Sequence, residues 1–233
     1  MERRYYGAGL PYVSTKDLRG KLIVVEGTDG VGRSTQMGLL QQWIELRGYA
    51  VVTTGWTRSN LVSSSIEAAK SGNMLNHLTY TLLYATDFAD RLENVIIPAL
   101  RSDFVVLCDR YIYTAIARSA VRGITKDYLS RLFGIALVPD LVLYLNIDLE
   151  TLIPRVLESG GLDYWESGMD MDLGQDLFES FRQYQTLILR EFDAMAAEHG
   201  FETVDARAPV QAIQDQLRAR VAMVLQDGAP NGA

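Results

Sequence analysis

Residues 24 to 36, VVEGTDGVGRSTQ, contain a glycine-rich loop of a type that binds phosphate groups. Gly27, Gly32, Ser34 and Thr35 match the pattern GxxxxGK[ST], whereas Arg33 stands where that pattern has lysine. Glycines let successive backbone N–H groups point at phosphate oxygens, and a following helix adds the positive end of its dipole. The sequence therefore predicts a phosphate site whose cation is a planar guanidinium instead of a compact ammonium.

A second charged group stands in LCDRY, residues 107 to 111, at the end of an apolar run. In an open α/β sheet, ligands collect at the carboxyl ends of strands, and this strand should lie beside the first. We expect Ser34 to bind Mg²⁺ between the terminal phosphates, Asp109 to reach the same ion through water, and Arg110 to bind a second phosphate. Without a phosphate loop nearby, a strand-ending Asp-Arg is more typical of a local ion pair.

The hydrophobic pattern predicts the elements that position these residues. Five nearly continuous apolar runs have the length of strands: 22–26, 50–54, 104–108, 141–147 and 201–205. Segments with helical spacing lie at 33–48, 60–101 in two or three pieces, 125–136, 149–158, 175–199 and 209–226. Strands that alternate with helices are typical of an α/β protein with a doubly wound parallel sheet.

Composition limits the classes of function. The chain has 233 residues and a net charge of -7, which argues against binding to nucleic-acid polymers or anionic membranes. Its single cysteine, Cys108, excludes an internal disulfide, and two histidines are too few for a zinc cluster. The sequence shows neither a signal peptide nor an apolar run long enough to span a membrane, so we expect a cytoplasmic protein. Residues 1–20 read as an N-terminal extension, 21–226 as one domain, and 227–233 as a disordered tail.

Taken in order, several segments resemble the thymidylate kinase family over residues 20 to 225. They are EGTDGVGRSTQ, LLYATDFADRLENVIIPAL, LCDRY, ARSAVRG and VPDLVLYL. The resemblance implies a P-loop NTPase fold, with a five-stranded parallel sheet flanked by helices in three αβα layers and a short lid, here about 158–176. It also implies a homodimer that uses Mg²⁺ to transfer the γ-phosphate of ATP to a deoxynucleoside monophosphate, dTMP by descent.

The resemblance also assigns individual residues. The ATP loop comprises Gly27, Thr28, Gly30, Val31, Gly32, Arg33, Ser34 and Thr35. Asp29 matches the loop aspartate that faces the acceptor sugar, and Arg58 falls where a TREP motif places an arginine near the acceptor phosphate. Asp109 and Arg110 match the DRY pair, and Tyr84 takes the place of an aromatic residue near the acceptor base. The candidate catalytic residues are Arg33, Asp29 and Arg110.

The acceptor site departs from the family pattern in the segment LLYATDF. Phe88 replaces an arginine that contacts thymine in the family. Arg91 follows one helical turn later, and it either reaches the same pocket or pairs with Asp87 on the helix surface. The first alternative would preserve a cation at the base, and the second would remove it.

A further departure is ARSA, residues 117–120, where the family has AYQG. Arg118 and Ser119 replace a tyrosine and a glutamine that screen the sugar and read the base. Exchanging these hydrogen-bonding groups should change or relax the choice of acceptor. Arg118, like Arg122, either binds an acceptor phosphate or only lies on the helix surface.

The lid segment departs most strongly from the family pattern. The family motif DRxE reads DYWE here, with Tyr164 at the arginine's place, and residues 156–181 contain neither lysine nor arginine. The segment carries seven acids: Glu158, Asp163, Glu166, Asp170, Asp172, Asp176 and Glu179. It does not form a calcium-binding EF-hand, because Gln175 and Phe181 occupy the positions that require Gly and Glu. We expect either a solvated acidic loop or one ordered by Mg²⁺ or by a basic partner surface.

Three functions are compatible with these features. The first is an active kinase in which Arg33 carries the charge that a loop lysine and a lid arginine normally share. The second is a nucleotide-binding protein of weak activity that acts as a partner or regulatory subunit. The third is a kinase whose acceptor is a modified pyrimidine nucleotide or another small phosphate monoester.

Overall fold

Five parallel strands form a sheet at the centre of the molecule. The computed structural model describes residues 3–71 and 76–226. The strands are β1 Lys21–Glu26, β2 Val51–Gly55, β3 Val105–Asp109, β4 Leu141–Asn146 and β5 Glu202–Asp205, in the spatial order β2-β3-β1-β4-β5. All four strand pairings are parallel. The predicted five-stranded parallel sheet, with β3 beside β1, is confirmed.

Helices cover both faces of this sheet. They are α1 Arg33–Glu45, α2 Ser63–Ser71, α3 His77–Arg91, α4 Ile97–Arg101, α5 Ile112–Val121, α6 Lys126–Leu132, α7 Leu149–Ser159, α8 Leu177–His199 and α9 Val210–Gln226. A π-helical turn, Leu92–Ile96, joins α3 to α4, and a 3-10 turn, Met169–Met171, lies before α8. The expected three layers are therefore present.

Alternation along β1 explains why its residues are apolar at nearly every position. Leu22 and Val24 face a core that includes residues of α3, α5 and α8, whereas Ile23 and Val25 face a core that includes residues of α1 and α9. All four side chains are fully buried. A strand covered on both faces has no polar side, which is why these runs are recognisable in the sequence.

Helix α5 is an element that the hydrophobic pattern did not predict. Its sequence, IYTAIARSAV, is rich in β-branched and aromatic residues, which favour strands. Seven of its ten residues are buried, so the helix lacks the polar stripe that marks an amphipathic helix at the surface. This burial matters for function, because α5 carries Arg118 and Ser119.

The described part of the N-terminal extension packs against the domain. Tyr5 forms an antiparallel bridge with Leu137, and Arg3 pairs with Asp140 at 2.6 Å. Asp140 also accepts a hydrogen bond from the backbone N–H of Leu22 at 2.6 Å, which ties the extension to the start of β1. The tail predicted at 227–233 lies outside the described residues. Within the described ranges, no helix is long and apolar enough to cross a membrane.

Candidate functional site

The loop between β1 and α1 is built to receive an anion. Gly32 precedes α1 with φ of 93°, a left-handed conformation that glycine adopts without strain, and no side chain caps the helix there. A Cβ on Gly27 would lie 3.0 Å from the carbonyl oxygen of Leu145, so the loop also passes close to the backbone at the carboxyl end of β4. Ser34 and Thr35 are exposed in the first turn of α1. Their helix end therefore has backbone N–H groups available to a ligand.

Arg33 folds back over this loop. Its Nη1 donates hydrogen bonds to the carbonyl oxygens of Gly27 at 2.6 Å and Thr28 at 3.1 Å, and its Nε pairs with the carboxylate of Asp109. The Arg33 side chain is 10% exposed. The forked guanidinium thus links the loop to the carboxyl end of β3, which the single ammonium of lysine is poorly shaped to do.

Asp29 brings two further arginines to the loop. Its two carboxylate oxygens pair with the guanidinium groups of Arg110 and Arg118, respectively. Arg110 has φ of 67°, an uncommon conformation for a residue other than glycine, and strain of this kind is often found at functional sites. Burial and the neighbouring charge of Arg118 lower the pKa of Arg110 to about 9, so the group stays a cation at neutral pH. An incoming anion would relieve the repulsion between the two arginines.

The buried carboxylate of Glu26 supports the loop from the interior of the protein. This carboxylate is fully buried at the end of β1, and it accepts hydrogen bonds from the backbone N–H of Tyr111 at 2.7 Å and the hydroxyl of Thr114 at 2.6 Å. Burial raises the pKa of Glu26. The contacts join the end of β1 to the start of α5, so the loop and the helix that carries Arg118 have a common support.

A cavity of about 140 Å³ opens beside the loop. Five cationic side chains line it, namely Arg33, Arg58, Lys70, Arg110 and Arg118. Two acids, Asp109 and Glu166, are also in the lining, so cations dominate locally although the chain as a whole is acidic. A pocket of this charge is suited to an anion such as a phosphate monoester.

Aromatic side chains form one wall of the cavity. The rings of Trp56 and Tyr84 have centroids 4.4 Å apart at an angle of 40°, and the Arg118 guanidinium lies 5.7 Å from the Trp56 ring. The indole N–H of Trp56 donates to the carbonyl of Tyr111 at 2.9 Å. Such a wall suits a planar group next to the anion.

The sequence interpretation placed Arg33, Arg58, Tyr84, Asp109, Arg110 and Arg118 at the site, and all six line the cavity. It missed Trp56, Lys70 and Glu166 as lining residues. Trp56 follows directly after β2, and the rule that ligands collect at the carboxyl ends of strands would have indicated it. Lys70 gave no such signal, because it lies on α2 far from any motif.

Four expected acceptor-binding residues do not line the cavity: Asp29, Phe88, Arg91 and Ser119. Asp29 lies behind the lining, where it pairs with Arg110 and Arg118. Phe88 is buried and packs edge-on against Tyr111, with ring centroids 5.1 Å apart. The hydroxyl of Ser119 accepts a hydrogen bond from Thr81 at 2.8 Å. Arg91 pairs with Asp87 at 2.8 Å, as one alternative predicted, but both side chains are buried. The expectation that this pair lies on the helix surface is therefore wrong.

The lid segment, residues 160–176, is the loop between α7 and α8, and its acids have specific partners. Asp163 accepts hydrogen bonds from the backbone N–H groups of Trp165 at 2.9 Å and Glu166 at 3.1 Å. Asp176 caps α8 by accepting from the N–H of Glu179 at 2.8 Å. Asp163 and Asp176 are exposed, so the expected solvated acidic loop describes this part of the segment, but their carboxylates also satisfy backbone groups.

Arg122 anchors the lid segment from α5's carboxyl end. Its Nε and Nη2 donate to the carboxylate of Asp170 at 2.7 and 2.9 Å, and its Nη1 donates to the Tyr184 hydroxyl at 2.7 Å. The same guanidinium donates to the carbonyl of Trp165 at 3.1 Å. Arg122 is buried, so the alternative that it lies on the helix surface is wrong, and it is not among the residues that line the cavity.

Trp165 is the apolar anchor of the lid segment. It is 3% exposed, stacks on Tyr80 at 5.7 Å between ring centroids, and donates its indole N–H to the carbonyl of Lys70 at 3.0 Å. Trp165 is thus buried within its own chain and stabilises the position of the lid segment.

Replacing Asp170 with asparagine should destabilise the protein by about 3 kcal/mol, because the change leaves the buried charge of Arg122 without its counter-ion. Urea denaturation followed by circular dichroism measures this difference. Asp172→Asn is the matched control: Asp172 is exposed in the same turn, and its replacement should change stability by less than about 0.5 kcal/mol. Equal effects of the two replacements would contradict the anchoring role of the Arg122–Asp170 pair.

Comparison with known proteins adds a further finding. The family model "Thymidylate kinase" matches residues 25–217, which include the loop, the cavity and the lid segment. The chain is 40% identical over 204 residues to "Probable thymidylate kinase 2" of Saccharolobus solfataricus, covering 86% of this chain and 95% of that relative. It is 32% identical over 172 residues to "Thymidylate kinase" of Caldicellulosiruptor saccharolyticus, covering 71% and 83%. It is 31% identical over 160 residues to "Probable thymidylate kinase" of Pyrococcus horikoshii, covering 66% and 78%.

Proposed function

The chain belongs to the thymidylate kinase family, and from this premise we propose that it transfers the γ-phosphate of ATP to dTMP, giving ADP and dTDP. As a member of this family it is a phosphotransferase that acts on nucleotides. The observation that carries the proposal is the cation-lined cavity beside an uncapped glycine-rich helix start. The two features provide adjacent sites for a donor polyphosphate and an acceptor phosphate.

The donor binds at the loop in this proposal. The backbone N–H groups of Gly27, Gly30 and Gly32 and the start of α1 receive the β- and γ-phosphates. Arg33 takes the place of the loop lysine and offsets the charge that spreads over the transferring phosphoryl group. Its guanidinium already lies at the junction of the loop, β3 and the cavity, where that group passes.

The residues present also fit Mg²⁺. Ser34 offers a hydroxyl and Asp109 a carboxylate, which are the hard oxygen donors that Mg²⁺ prefers. No group of three His, Cys, Asp or Glu suited to a metal occurs among the described residues. Such a group is not required, because Mg²⁺ in kinases is bound through one or two protein side chains together with phosphates and water. When bound, Mg²⁺ would offset phosphate charge.

The acceptor binds in the cavity. Arg58, Arg110 and Arg118 hold its phosphate, while Trp56 and Tyr84 flank its base. Asp29 keeps Arg110 and Arg118 in position and faces the acceptor sugar. An acceptor phosphate oxygen then forms a bond to the γ-phosphorus as the bond from that phosphorus to the β-phosphate oxygen breaks. The transferred group passes between Arg33 and Arg110.

We also propose that the protein is a cytoplasmic homodimer. Leu78 and Leu82 lie one turn apart on α3 and are 48% and 41% exposed, so this helix presents apolar side chains to solvent. A second copy of the chain that covers them would remove this surface from water. Sedimentation velocity tests the proposal, and a monomer at micromolar concentration would contradict it.

A substrate panel tests the function as a whole. Purified protein is incubated with ATP, Mg²⁺ and each of dTMP, dUMP, dCMP, dAMP and dGMP, and the diphosphate products are separated by chromatography. We expect dTMP to be phosphorylated fastest. Absence of product from every acceptor would refute the kinase assignment. Faster turnover of another monophosphate would keep the chemistry but favour a different acceptor, an outcome consistent with Phe88 lying away from the cavity.

A further inference from the structure

Gln185 lies within α8, and its side chain is 1% exposed. Its Nε2 donates to the carbonyl of Glu166 in the lid segment at 2.9 Å, and its Oε1 accepts a hydrogen bond from the hydroxyl of Thr28 in the loop. A backbone carbonyl only accepts hydrogen bonds, so Glu166 fixes the orientation of the amide and leaves the oxygen facing Thr28. One buried side chain therefore joins the lid segment to the phosphate loop.

The loop end of this connection is closely packed. Thr28 is 3% exposed, and its carbonyl accepts the hydrogen bond from Arg33 at 3.1 Å. The space that remains beside Thr28 and Gln185 is about 10 Å³, at the lower limit of what a water molecule needs. A water molecule therefore has little room to replace a hydrogen bond lost here, and the remaining partner would be poorly satisfied in a buried position.

The lid end of the connection continues along α8. Ser180 donates its hydroxyl hydrogen to the carbonyl of Ser167 at 2.7 Å. Gly168 lies against Tyr184, so closely that a Cβ there would come within 2.7 to 2.9 Å of the Tyr184 side chain. Helix α8 thus holds three consecutive residues of the lid segment, 166 to 168, and the contact at residue 166 also reaches the loop.

We infer that Gln185 is a positioning residue that couples docking of the lid segment to the conformation of the phosphate loop. It acts through Thr28 on the loop that holds Arg33, and through Glu166 on the wall of the cavity. The effect of Gln185 on turnover rests on the proposed phosphoryl transfer, whereas the coupling between the lid segment and the loop is a property of the fold. Because a coupling free energy is reciprocal, a change in the loop must shift the lid segment by the same free energy by which a change in the lid segment shifts the loop.

Hydrogen–deuterium exchange measured by mass spectrometry tests this coupling without any substrate. Thr28→Val, which keeps the shape of the side chain but removes its hydroxyl, should raise exchange in residues 160–176 by about tenfold. Gln185→Leu should have a similar effect, and Thr28→Ser should leave exchange at the wild-type level. Peptides of α9 serve as an internal reference for global unfolding.

The double variant Thr28→Val/Gln185→Leu should exchange no faster in residues 160–176 than the faster single variant, because both replacements break one connection. Gln183→Leu is the matched control, since Gln183 is exposed on the same helix. Unchanged exchange in the lid segment of Thr28→Val would overturn the inference, and this variant decides the matter even if Gln185→Leu does not fold. Independent, additive effects of the two replacements would overturn it as well.

Kinetics separate this inference from the proposed function. Gln185→Leu and Thr28→Val should each lower kcat by about tenfold, with the KM for ATP changed less than about threefold. Turnover equal to that of Gln183→Leu would overturn the positioning role. Should the wild type transfer no phosphate while Thr28→Val still raises exchange in the lid segment, the coupling stands and the kinase assignment falls.

Discussion

Replacing Arg33 with alanine is expected to lower kcat for phosphoryl transfer by about a thousandfold, the range observed when an arginine that stabilises the transferring group is lost. The lid segment contains neither lysine nor arginine, so it has no cation to substitute for the missing guanidinium. Arg33 is also the group that connects the loop carbonyls to Asp109. Its loss therefore removes a transition-state charge and loosens the loop at the same time.

Arg33→Lys separates the two contributions. Lysine retains the charge but lacks the fork that reaches Asp109 and two carbonyl groups together, so we expect kcat to fall by only about tenfold. Steady-state rates from a coupled ADP assay measure both variants. Arg47→Ala is the control, because Arg47 lies beyond the opposite end of α1, where it stacks on Trp43 at 4.2 Å. A kcat for Arg33→Ala within about threefold of the wild type would refute the catalytic role of Arg33.

The fold and the loop could be predicted because their signals are local. The strands β1, β3 and β4 are buried at nearly every position and therefore appear as continuous apolar runs, and the loop has glycines at the positions where the backbone must turn. Helix α5 shows the limit of this reasoning. Burial on nearly every side removes its polar stripe, and the remaining pattern is more typical of a strand.

The partners of charged residues could not be predicted, because they are set by tertiary contacts. Arg122 and Asp170 are 48 positions apart, and nothing in either neighbourhood indicates the other. The exposure of Asp163 and Asp176 in the lid segment agrees with the sequence pattern. The donors to its carboxylates could not be predicted, because they are backbone N–H groups and Arg122 at the end of α5. The pair of Arg91 and Asp87 was predictable as a contact from its spacing, but its burial depends on the elements packed over α3.

Replacing Arg118 with methionine should weaken binding of dTMP by about 10 to 100 times, which corresponds to the loss of charge-assisted hydrogen bonds. The Arg118 side chain is 6% exposed, borders the cavity and pairs with Asp29. Methionine fills a similar volume, and Arg110 remains as a partner for Asp29, so no carboxylate is left alone in the pocket. Calorimetric titration with dTMP and with ADP measures the two sites separately.

The affinity for ADP should change by less than about threefold, because Arg118 contacts the acceptor side of the loop and does not reach its carbonyl groups. Arg131→Met is the matched control, since Arg131 is exposed and pairs only with Asp127 on the surface of α6 among the described residues. An unchanged dTMP affinity in a folded Arg118→Met protein would place the acceptor phosphate elsewhere. If ADP binding fell as far as dTMP binding, Arg118 would support the loop through Asp29 and would not select the acceptor. A selective loss of dTMP affinity would instead make Arg118 part of the acceptor phosphate site.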